Sequence, residues 1–92
     1  MEKKSYARWA DVLKTMGHPI RIRIIETLLQ EGKWVGTIGA TLGLPQSTVS
    51  QHLSLLRRKG IVRQERCGSK VKYSVADKRV EEIIKLIKVE LT

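Results

Sequence analysis

The sequence predicts a mainly α fold with a two-stranded β-hairpin, arranged as a winged helix-turn-helix, and three observations point to it. The stretch from Thr37 to Arg58, TIGATLGLPQSTVSQHLSLLRR, reads as two short helices joined by a tight turn. After Gly60 the apolar period changes from helical to alternating. The positive charge is concentrated across this same region: of a net charge of +9, a share of +6 lies between Gln46 and Ser74, from seven Lys or Arg against the single acid Glu65.

Taken in order, Tyr6, Trp9, Ala10, Leu13 and Met16 recur at helical spacing and predict a first amphipathic helix that Gly17 ends. His18-Pro19 opens a second, because proline suits a first helical position whose N–H has no partner to lose. Ile20, Ile22, Ile24, Ile25, Leu28 and Leu29 wrap so much of that helix that it is expected to be central and buried, with Arg21 and Arg23 at its margins. Gln30 to Lys33, containing Gly32, predicts a turn, and Trp34-Val35 leads into the helix-turn-helix at about 37–58.

Within that unit Thr37 is a candidate N-cap, Ile38 and Leu42 share a face, Gly43 marks the stop and Leu44 plugs the corner. Gly39 is a small residue where the two helices approach. Pro45 fits the first turn of the second helix. Val49, Leu53 and Leu56 make its apolar stripe, which at 3.6 residues per turn directs Ser47, Gln51, Ser54 and Arg58 outward with Thr48 and Ser50 on the flanks. A small, polar outer face of this kind suits a helix that enters a DNA major groove.

The wing is expected at about 61–75. Ile61 to Glu65 and Val71 to Val75 alternate apolar and polar residues, with Cys67-Gly68-Ser69 as the turn. Val71, Tyr73 and Val75 would face inward, and Lys70 and Lys72 outward beside Arg66. A last helix follows at about 77–91, capped by Asp77, with Val80, Ile83, Ile84, Ile87 and Leu91 in one stripe that needs a cover.

Composition narrows the function. The chain has 92 residues, expected to form a single domain over 1–92, which is small for a self-sufficient core, so a second copy would help. A hydrophobic fraction of 41% argues against disorder. The apolar runs are too short to span a bilayer, and Arg8, Asp11 and Lys14 interrupt any signal-peptide pattern, so no membrane partner and a cytoplasmic location are expected. Clustered positive charge supplies the sequence-independent phosphate attraction of a nucleic-acid binder, although a basic solvated surface is the plainer reading of charge alone. The tail from Asp77 to Thr92 is neutral, four basic residues against four acidic.

Three segments in this order and spacing carry a resemblance: LKTMGHPIRIRII (Leu13 to Ile25), LGLPQSTVSQHLSLLRRKGIV (Leu42 to Val62) and SKVKYSV (Ser69 to Val75) resemble the ArsR/SmtB transcriptional repressors. The resemblance implies a cytoplasmic homodimer joined through its first and last helices, with Tyr6, Trp9, Val80, Ile83, Ile84, Ile87 and Leu91 at the interface. Such a dimer binds an imperfect palindromic operator in double-stranded DNA and blocks transcription until an inducer binds. By resemblance and by face together, Gln46, Ser47, Thr48, Ser50, Gln51 and Ser54 are expected in the major groove, with Arg66, Lys70 and Lys72 on backbone or minor groove. Metal-sensing relatives hold a soft metal on a Cys-Val-Cys pair, and those positions are Trp34 and Gly36 here; a second family site pairs an aspartate with histidines on the last helix, and Asp77 has no such partner. No metal and no cofactor is therefore expected.

The remaining conspicuous residues have plain readings beside sharper ones. His18 caps or packs at a helix start, and His52, next to the apolar stripe, makes a structural hydrogen bond rather than a base contact. No carboxylate pair, serine–base pairing or phosphate loop accompanies them, so an enzyme is not expected. Cys67, the single cysteine, sits in an electropositive turn where it is either incidental or a site whose oxidation disturbs the wing. Trp34 is a core residue or the wall of an effector pocket. Two other functions remain open from the residues, a non-specific architectural DNA binder and a winged-helix protein-interaction module.

Overall fold

A computed structural model describes residues 2–30 and 35–91, and its elements run α1 (Glu2–Met16), α2 (Pro19–Gln30), α3 (Val35–Leu42), α4 (Gln46–Arg58), β1 (Val62–Cys67), β2 (Lys70–Val75) and α5 (Lys78–Leu91). Helix α2 is the hub, as its apolar wrap predicts: it packs against α1, α3, α4, β2 and α5. Ile24, Ile25 and Leu28 are buried at the centre of one core that also takes Val12 and Met16 from α1, Ile38 from α3, Val49, Leu53 and Leu56 from α4, and Tyr73 from β2. Two buried hydroxyls are satisfied within their own helices, Thr15 donating to the Asp11 carbonyl and Thr27 to the Arg23 carbonyl, both at 2.8 Å. Each closes on the residue four back, so neither hydroxyl is left unpaired in the core.

The corner between α3 and α4 is tight. Gly43 takes φ +69°, a left-handed conformation that ends α3 with no Cβ penalty. The Leu44 N–H closes back on the Gly39 carbonyl at 3.0 Å. At Gly39 a Cβ would stand 3.2 Å from the Leu44 carbonyl oxygen, so a small residue is required for the approach, as the spacing predicts. Two details differ from the expectation. Helix α3 already begins at Val35, placing Thr37 inside its first turn rather than before it, and Pro45 is the N-cap of α4, with φ −60° and ψ 144°, rather than its first residue. Pro45 supplies no side-chain cap bond. A cap contributes about 1 kcal/mol, whereas each fully buried Val or Leu contributes about 1.5–3 kcal/mol, so the inward stripe is what holds α4 in place.

The hairpin pairs β1 with β2 in antiparallel register from Val62↔Val75 to Cys67↔Lys70. Cys67 is therefore the last residue of a strand and not part of the turn, which is only Gly68-Ser69. Gly68 has φ +65° and Ser69 does not share it, the pattern of a II′ turn whose twist matches the strands.

At the two ends of the chain the apolar stripes are divided. On α1 the residues turned inward are Val12, Thr15 and Met16, while Tyr6 is 72% and Leu13 50% exposed. Trp9 is half-buried beneath the Arg79 guanidinium, 4.6 Å from the ring centroid. On α5 the Asp77 carboxylate caps the helix by accepting the Arg79 N–H at 2.8 Å, a bond that, with the Arg79 side chain, holds its carboxyl below the usual range. Val80 and Ile84 are 1% and 2% exposed within the protomer itself, which corrects the expectation that both lie on a dimer interface. Ile83 and Ile87 are half-buried and Leu86, which the heptad-like stripe left out, is 72% exposed. The Leu91 side chain, the Gln30 to Lys33 turn beyond Gln30, and Trp34 with its core or pocket role lie outside the described residues.

Candidate nucleic-acid interface

Helix α4 presents a continuous polar face because its apolar residues are fully committed inward. Gln46, Ser47, Gln51 and Ser54 are exposed, and Thr48 and Ser50 are half-buried at the edges, so the groove-facing set expected from the sequence is gathered on one helix surface. Ser47, Gln51 and Ser54 stack at successive turns. Ahead of them the first-turn N–H groups carry no side-chain cap, which leaves donors at the positive end of the helix dipole. At the other end, Arg57 and Arg58 are exposed in the last turn, and Lys59 is drawn to Asp11 of α1 at 3.2 Å.

The wing's register sorts its charges by face. Partners across an antiparallel pair point the same way, so Val62–Val75, Gln64–Tyr73 and Arg66–Val71 share one face, and Arg63–Ser74, Glu65–Lys72 and Cys67–Lys70 share the other. Arg66 is thus on the opposite face from Lys70 and Lys72, a correction to the expected grouping. Arg63, which the sequence reading passed over, stands with the two lysines, and the register is the signal that finds it. Glu65 meets Lys72 at 3.7 Å, an exposed pair that offsets little of the wing's charge. Cys67 is exposed on the lysine-bearing face.

Behind the recognition face lies a polar contact. The His18 Nδ1 accepts the Ile20 N–H at 3.1 Å, capping α2, and its ring meets that of His52 at 4.9 Å between centroids. His52 accepts from Arg21 and is half-buried, so it makes the structural hydrogen bond expected of it. Burial first, then the neighbouring His18 and Arg21, hold its pKa below the usual imidazole value.

The two metal sites of the resembled family do not fit these residues. Gly36 offers no ligand atom, Asp77 is engaged by Arg79, and among the described residues no three His, Cys, Asp or Glu side chains gather in one place.

Five helices packed on one core, one of them (α4) with an uncapped N-terminus and a polar outer face, and a basic hairpin define a winged helix-turn-helix DNA-binding protein. Residues 18–64 match the family described as bacterial regulatory protein, arsR family. The chain is 44% identical over 79 residues to the transcriptional repressor PagR of Bacillus anthracis, covering 85% of this chain and 79% of that protein. Its fold superposes on the PagR crystal structure with TM-score 0.84, covering 92% and 98% of the two chains. An HTH-type transcriptional regulator of Methanocaldococcus jannaschii is 40% identical over 95% of this chain and 97% of its own. The solution structure of a homodimeric winged helix-turn-helix DNA-binding domain from Mycobacterium bovis matches with TM-score 0.86 at 26% identity, covering 98% of this chain and 83% of that one. The chain belongs to the arsR family and is a DNA-binding transcriptional regulator. No helix of the described residues is long and apolar enough to cross a membrane.

Proposed function

We propose that the chain is a homodimeric repressor that binds an imperfect palindromic operator through α4 and the wing, acts on the chromosome in the cytoplasm, and has no enzymatic activity. The observation that carries this reading is the outward face of α4, where Gln46, Ser47, Gln51 and Ser54 are exposed over a fully buried Val49, Leu53 and Leu56. Gln46 and Gln51 have the geometry to pair bidentately with adenine, whereas the serines, Thr48 and the first-turn N–H groups suit phosphates. Arg63, Lys70 and Lys72 on one wing face and Arg66 on the other reach the flanking backbone. The dimer joins α1 to α5 through Tyr6, Trp9, Leu13, Ile83, Leu86 and Ile87, the apolar residues that the protomer core leaves wholly or partly uncovered. PagR's name as a repressor and the homodimeric M. bovis domain support the same reading.

Selection of bound fragments from a random DNA pool tests it. A palindromic consensus is the expected result; enrichment without a consensus marks an architectural binder, and no enrichment marks an interaction module. On the selected site, Gln51→Ala is expected to cost about 1–3 kcal/mol and to relax preference at one base pair per half-site. Equal losses on selected and scrambled DNA would remove Gln51 from the specificity set. Lys70→Ala is expected to weaken binding to every sequence and to reduce the slope of log affinity against log salt by about 1, read from titrations at two salt concentrations.

A further inference from the structure

Arg21 stands where three helices meet. From α2 it donates through Nη1 to the Thr15 carbonyl near the end of α1, at 3.0 Å, and through Nε to Nδ1 of His52 on α4, at 3.3 Å. One guanidinium therefore connects a helix of the proposed dimer interface to the recognition helix, and the second bond depends on a lone pair. Nδ1 of His52 can accept only if the imidazole is neutral with its proton on Nε2. An imidazolium has a proton on both nitrogens, so Nδ1–H would meet the Arg21 Nε–H head on, with two like charges in contact.

The surroundings offer such a charge no relief. His18, from the corner between α1 and α2, faces the ring at 4.9 Å and its Nδ1 is occupied by the Ile20 N–H. Of the charged residues of α2, which are Arg21, Arg23 and Glu26, Arg21 is the one that bonds the ring, and α3, which packs on α4, has no ionisable side chain between Val35 and Leu42. The charged residues of β1, namely Arg63, Glu65 and Arg66, are exposed on the wing. The titratable neighbours that act on His52 are His18 and Arg21, and no carboxylate is among them.

We propose that Arg21 and His52 are positioning residues that tie the recognition helix to α1 and α2, that the tie forms only with His52 neutral, and that operator binding weakens as the medium is acidified. The sign follows from the lowered pKa: the tied state excludes the proton, the untied or unfolded state accepts it near the ordinary value of about 6.5, and acid draws the protein toward the untied form. The tie is fully present above that pH and is lost as pH falls below it. The phosphates of DNA act in the opposite sense, since they favour added positive charge, so the direction of the pH effect separates a positioning role from a simple phosphate contact.

The inference rests on the DNA-binding reading, and the test keeps the two apart. Operator affinity is measured from pH 7.5 to 5.5 at constant ionic strength for wild type, His52→Asn and Arg21→Met. Asparagine places its carbonyl oxygen near the Nδ1 position and does not titrate. Wild type is expected to lose about fivefold in affinity across this range, about what one lost hydrogen bond is worth. His52→Asn is expected to keep wild-type affinity at pH 7.5 and to show no loss, and Arg21→Met to be weakened already at pH 7.5. Tighter or unchanged binding by wild type in acid, or His52→Asn following wild type, overturns the tie. An absence of any operator complex at pH 7.5 counts against the DNA-binding reading instead. The tie is then still decided by nitrogen NMR of the wild-type imidazoles: a His52 ring protonated on Nε2 that titrates below pH 6.5 supports it, and a ring protonated on Nδ1 overturns it.

Discussion

Leu53→Ala is expected to lower the stability of the protein by about 2–5 kcal/mol, the range for emptying a closed core site. Leu53 has no exposed surface and lies in the middle of the three-residue stripe with which α4 enters the core. Relaxation has little room there. Val49 and Leu56, one turn to either side, are also fully buried, and the helix on the facing side is the central α2, whose own Ile24 and Ile25 are fixed in the same cluster. Small domains have a total stability of about 5–15 kcal/mol, so a loss of this size removes a large part of the margin. Urea denaturation reads it directly, as a fall in the midpoint with an unchanged slope. Ser54→Ala, at the exposed neighbouring position, is the matched control and is expected to change stability by less than about 0.5 kcal/mol. A Leu53→Ala cost below about 1 kcal/mol would mean that something other than the inward stripe holds the recognition helix, which the absence of a side-chain cap at Pro45 makes hard to find.

The parts of the fold legible in the sequence are those set by local chemistry. The α4 stripe is readable because a 3.6-residue period and a Gly-Leu-Pro stop leave one arrangement, and Gly43 at φ +69° is where that stop was placed. The hairpin is readable from the change of period, but its faces are not. Moving the turn by one residue, from Cys67-Gly68-Ser69 to Gly68-Ser69, leaves the apolar alternation of β2 intact while settling which residues of β1 pair with it, so Arg66 and Arg63 exchange roles. Periodicity also says which residues are apolar without saying what covers them. Val80 and Leu86 look alike in sequence, yet one is closed inside the protomer and the other stands in the open. The Arg21–His52 contact was out of reach for a third reason: the two residues are separated by 31 positions, and only the packing of α2 on α4 brings them together.

The division of the α5 stripe leads to the second large effect: Leu86→Glu is expected to turn the proposed dimer into a monomer and to reduce operator affinity by about a hundredfold or more. Leu86 is 72% exposed and its substitution removes nothing from the protomer core, whereas a change at Val80, 1% exposed, would confound association with folding. In a two-fold interface one substitution acts twice, adding a carboxylate to the joined surface of each copy. Each must either be buried without a partner or keep the helices apart, and an unpaired buried charge costs several kcal/mol. The cost to DNA binding follows from geometry rather than from any lost contact. Two recognition helices held at a fixed separation bind two half-sites as one event, and linkage of this kind is worth roughly a hundredfold to ten-thousandfold over a single site. Monomers should therefore bind a full palindrome little better than one half of it. Sedimentation equilibrium gives the mass, and titration of full and half operators gives the linkage. A Leu86→Glu protein that still sediments as a dimer would move the interface away from α5, and a monomer that keeps its preference for the full palindrome would mean that DNA itself, and not the α1–α5 surface, brings the two copies together.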